Sequence, residues 1–63
     1  METRLKEVRT EKGFSQEELA EKSGISRTII SGLENGKVEC VTTNTMRAIA
    51  QALGCRVSDI FSL

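Results

Sequence analysis

Apolar residues recur along this chain at helical spacing, in short segments that glycines separate. Leu5 and Val8 stand three apart and predict a first helix over about Thr3–Lys12. The second is the best signed. Ser15-Gln16-Glu17-Glu18 forms a capping box, and Phe14 and Leu19 flank it at the spacing of a hydrophobic staple. Glu18 and Lys22 add a favourably oriented i,i+4 pair before the helix stops at Ser23-Gly24. The same grammar recurs twice. Ser26, between Ile25 and Ile30, opens a helix that closes at Asn35-Gly36, and Thr42, with Val41 and Met46, opens one that runs to Leu53 before Gly54. A short last helix is predicted over Val57–Phe61, although Arg56 is a poor N-cap. No stretch alternates strictly enough to predict a strand. The expectation is an all-α bundle of five short helices, each too short to persist without tertiary packing.

Composition narrows the function. Sixty-three residues, 38% of them hydrophobic, suit one small domain spanning 1–63. The chain has no His, Trp, Tyr or Pro, and only two cysteines, Cys40 and Cys55. Histidine-dependent triads and tetrahedral zinc sites therefore drop out, and no catalytic residue, metal or other cofactor is expected. Neither a disulfide scaffold nor a membrane span is legible, and Met1-Glu2-Thr3-Arg4 does not open a signal peptide, which points to the cytoplasm. Nine basic and nine acidic residues give zero net charge, which argues mildly against a nucleic-acid partner. Their distribution softens this: over residues 23–56, Arg27, Lys37, Arg47 and Arg56 outnumber Glu34 and Glu39.

Only Ser23-Gly24-Ile25-Ser26 joins the second and third helices, which forces the tight corner of a helix-turn-helix. Ala20 allows close approach of the two backbones and Gly24 supplies a positive φ, while Leu19, Ile25, Ile30 and Leu33 fill the inside. Arg27, Thr28, Ser31 and Gly32 are left on the outer face of the third helix, a small polar surface with one guanidinium.

These residues carry a resemblance. Leu5-Lys6-Glu7-Val8-Arg9, Gly13-Phe14-Ser15-Gln16-Glu17-Glu18-Leu19-Ala20, Gly24-Ile25-Ser26-Arg27, Glu34-Asn35-Gly36-Lys37 and Ile49-Ala50-Gln51-Ala52-Leu53-Gly54 together resemble the Cro/C1 (lambda repressor-like) helix-turn-helix family. The resemblance implies a domain that binds double-stranded operator DNA, usually as a dimer, to regulate transcription. It places Gln16 against a DNA phosphate, Ser26, Arg27 and Thr28 at the start of the helix that enters the major groove, and Asn35 and Lys37 against the backbone. It also implies an internal salt bridge between Arg9 and Glu34. Gly32 stands where family members often carry a long polar side chain that reads bases.

Two functions remain open at this point: a DNA-binding repressor, and a protein-interaction module of antitoxin-like or adaptor type on the same fold. No small-molecule ligand is expected. Val57, Ile60, Phe61 and Leu63 crowd the C-terminal segment, and one short helix cannot turn all four inward. Phe61 or Leu63 is then expected to serve a homodimer, whose operator would be an approximate palindrome.

Overall fold

A computed structural model describes residues 3–61. Five helices follow one another: α1 (Leu5–Glu11), α2 (Gln16–Ser23), α3 (Arg27–Asn35), α4 (Thr43–Leu53) and α5 (Val57–Ile60). Local chemistry sets most of their starts. Ser15 Oγ accepts from the Glu18 amide at 3.0 Å, and the Ser15 amide donates to Glu18 Oε1 at 3.0 Å. The Ser15 amide, and after it the Ser15 hydroxyl, favour the Glu18 carboxylate and lower its pKa. Ser26 and Thr42 cap α3 and α4 through the Ile29 and Thr45 amides. Arg56 has no acceptor to offer as a cap, so the start of α5 relies on its amide donating to Asp59 Oδ2 at 3.0 Å.

α2 packs on α3 and α4, α4 on α5, and α1 on α3. Leu5, Leu19, Ile30, Leu33, Ile49 and Ile60 meet in the shared core. The N-terminus of α1 departs from the sequence expectation for a long-range reason. Thr3 forms an antiparallel bridge with Phe61, and the Arg4 amide donates to the Ile60 carbonyl at 2.7 Å, so the helix begins only at Leu5.

The same bridge corrects the reading of the C-terminus. α5 ends at Ile60, and Phe61 turns extended (φ −110°, ψ 128°). Released from the helical face, its ring enters the core and is 1% exposed. Phe61 is a core residue and does not present its side chain to a dimer partner. Leu63, the other residue expected there, lies outside the described residues.

Candidate nucleic-acid interface

The corner between α2 and α3 is held by backbone geometry. Gly24 has φ +74°, a conformation that costs a residue with a Cβ, and its amide closes α2 on the Ala20 carbonyl at 3.0 Å. The Ile25 amide turns back to Ser23 Oγ at 3.2 Å, and Ile25 packs its side chain against the core. The chain thus re-enters a helix at Arg27, with α3 packed against α2.

Positions 27, 31 and 35 form one row along α3, and 28 and 32 form the next. Arg27, Thr28 and Asn35 are exposed and Ser31 is half-buried. With Lys37, Gly32 and Val38 they line one concave pocket of about 460 Å³. No acidic residue is among those lining it. Glu7, Glu11, Glu17, Glu18 and Glu21 are exposed on α1 and α2 instead. The lining of this pocket is therefore cationic in a neutral chain, with Glu34 turned to the inward side of α3 and Glu39 exposed just beyond Val38. Asn35 Nδ2 donates to Ser31 Oγ at 3.3 Å. The Arg27, Thr28 and Lys37 side chains make no hydrogen bond among the described residues, so their donors remain open to a ligand.

The other residues singled out from the sequence sit differently. Ser26 caps α3, and its hydroxyl is engaged with the Ile29 amide at 3.3 Å. Gln16 begins α2 but does not line the pocket. Its Nε2 donates to Glu34 Oε1 at 3.2 Å, which leaves the second amide proton for another partner. Glu34 also receives Arg9 Nε at 2.6 Å and Nη2 at 3.2 Å, while Arg9 Nη1 reaches the Phe14 carbonyl at 2.6 Å. The two side chains are 13% and 2% exposed. This bidentate pair ties α1, the α1–α2 loop and α3 together, and the carboxylate raises the Arg9 pKa.

Gly32 corrects the expectation of an outward-facing residue. It is buried beneath Val38, and a Cβ there would overlap Val38 Cγ2. Its carbonyl accepts the amides of Gly36, Lys37 (2.9 Å) and Val38 (3.1 Å), which fold the post-helix loop back over α3. Val38 is the residue that sequence reasoning passed over. The signal was present: a glycine inside a helix costs about 1 kcal/mol relative to alanine, and often marks a close approach of another segment.

Both cysteines are free thiols, Cys40 exposed and Cys55 half-buried. Desolvation raises the Cys55 pKa, with a contribution from Asp59. Among the described residues no helix is long and apolar enough to cross a membrane.

Comparison with known proteins agrees with this geometry. The helix-turn-helix family profile matches residues 5–60. An uncharacterized HTH-type transcriptional regulator of Archaeoglobus fulgidus is 39% identical over 61 residues, covering 97% of this chain and 86% of the relative. One of Methanothermobacter thermautotrophicus is 44% identical over 64 residues, covering 100% and 91%. The immunity repressor protein of Bacillus phage phi105 is 37% identical over 57 residues, which is 90% of this chain but 39% of that protein. A capped two-helix corner, an acid-free face on its second helix and a profile match across nearly the whole chain lead to one conclusion: the chain belongs to the Cro/C1-type helix-turn-helix family of DNA-binding transcriptional regulators.

Proposed function

We propose that this chain is a sequence-specific repressor that acts in the cytoplasm without catalysis or a cofactor, placing α3 in the major groove of operator DNA. The observation that carries the reading is the pocket shared by Arg27, Thr28, Ser31, Asn35 and Lys37, where polar and cationic groups converge with no carboxylate among them. Arg27 stands at the first turn of α3, where a guanidinium reaches guanine O6 and N7 in a bidentate contact. Thr28 and Ser31 follow on the same face, and Ser26 brings the capped end of the helix against the groove. Asn35 and Lys37 take phosphates at the far end. Gln16 takes another with the amide proton that Glu34 leaves open. Repression as the sign of regulation is supported by the likeness to the phage immunity repressor.

One α3 presents few base-reading groups, so two chains on an approximate palindrome supply the specificity in this reading. Half-sites one duplex turn, about 34 Å, apart suit the two recognition helices. The protein-interaction alternative is favoured by one feature. Ile29 is 36% exposed and borders an apolar groove with Val38, Val41 and Thr45. That groove lacks a charged lining residue to orient a partner, and the DNA reading accounts for more of the surface.

Electrophoretic shifts across a salt series test the proposal. With Gln16, Asn35 and Lys37 on phosphates and no net positive charge, the log–log slope should be about −2 to −5 per dimer. Absence of binding to any selected duplex at low salt rejects it and favours a protein partner.

A further inference from the structure

The floor of the pocket on α3 differs in chemistry from its rim. Arg27, Asn35 and Lys37 offer nitrogen donors to it, whereas Val38, packed over the buried Gly32, presents carbon. Val38 is not loosely draped there. Its own amide and that of Lys37 are both bonded to the Gly32 carbonyl, so its position is fixed relative to the recognition helix. A side chain at position 32 would overlap Val38 Cγ2 and push Val38 off the helix. Glycine at this position therefore lets Val38 lie directly on the helix, and Val38 gives the pocket an apolar patch.

We propose that Val38, lining this pocket, packs against the 5-methyl group of a thymine, which makes it a base-reading residue. The inference rests on the DNA-binding reading given above. In the major groove the C5-methyl is the apolar feature of the base edges, and it marks thymine. An adenine or cytosine amino group pressed against valine would lose its water without gaining an acceptor, which is unfavourable. The methyl loses nothing and gains contact. Arg27 and Lys37 on the rim lie where they can hold neighbouring guanine and phosphate groups and so bring the base edge to the floor. Sequence preference then has two sources: a donor-rich one at Arg27 and an apolar one that a long side chain at position 32 would abolish.

The experiment uses the whole chain and duplexes selected from a random pool. Each thymine of the selected site is replaced singly by deoxyuridine, which removes the 5-methyl and leaves base pairing unchanged. At one position per half-site the replacement should weaken binding about 3–5-fold, the effect of exposing one buried methyl. Val38→Ala should bind the thymine duplex about 3–5-fold more weakly than the parent and should not distinguish thymine from deoxyuridine at that position. Gly32→Ala, whose backbone conformation is compatible with alanine, should also lose the distinction because Val38 is displaced. If Val38→Ala fails to fold, the scan on the parent still decides. A parent indifferent to every deoxyuridine replacement overturns the methyl site while leaving DNA binding intact. Retention of the full thymine preference by Val38→Ala also overturns it. Failure of the parent to bind any duplex removes the DNA reading itself, and the methyl site with it.

Discussion

The inward and outward sides of α3 are built on different principles. On the inward side, Ile30 and Leu33 are buried in the core, and Glu34 accepts three hydrogen bonds, two from Arg9 and one from Gln16. The Glu34 carboxylate and the Arg9 guanidinium there find their partners within the chain. On the outward side, Arg27 and Thr28 have no hydrogen-bonded partner among the described residues, and Ser31 and Asn35 share one bond of 3.3 Å. Buried groups must be satisfied internally or the fold loses stability, whereas exposed donors can wait for a ligand. The difference teaches where each kind of substitution should be felt: inward changes in stability, outward changes in recognition.

The largest effect should come from the core that supports α3. Phe61→Ala removes a fully buried ring and should destabilise the domain by about 3–5 kcal/mol, a large share of what a chain of this size possesses. Urea denaturation reads this directly. A variant with an unchanged midpoint but weaker self-association would instead restore Phe61 to a dimer contact. Next comes Glu34→Gln, which leaves the Arg9 guanidinium without its counter-charge. Because Arg9 keeps some contact with water, the loss should fall near the lower end for broken buried pairs, about 3 kcal/mol. A negligible shift in midpoint would mean that the pair behaves as an exposed one. Smaller again, and on the other side of the helix, Arg27→Ala should leave stability within about 0.5 kcal/mol while weakening DNA binding by about 1–3 kcal/mol. Its loss should be confined to one base pair per half-site. An equal loss on all sequences would reduce Arg27 to a phosphate contact.

The same division explains what was legible in the sequence. The starts of α2, α3 and α4 are written within four residues by Ser15, Ser26 and Thr42, and local hydrogen bonds fulfil them. Staple spacing likewise brought out Leu19, Ile30 and Met46, all buried. The errors lie where distant segments meet. Thr3 and Phe61 are at opposite ends of the chain, and no periodicity announces that they pair, shorten α1 and draw the Phe61 ring inward. Gly32 projects outward on a bare helix, but the loop beyond Gly36 folds back and buries it under Val38. Gln16 sits at the expected start of α2, yet its amide is partly committed to Glu34, a contact between residues 18 positions apart. Within-helix grammar was readable, and the closing of loops over helices was not.

The central claim is that the outward face of α3 reads DNA sequence. Selection of bound duplexes from a random oligonucleotide pool by the purified chain tests it most directly. The account predicts enrichment of an inverted repeat whose half-site centres lie about one duplex turn apart, each half-site containing a guanine for Arg27. A pool that emerges without any enriched sequence, or from which no DNA is retained at low salt, would contradict it.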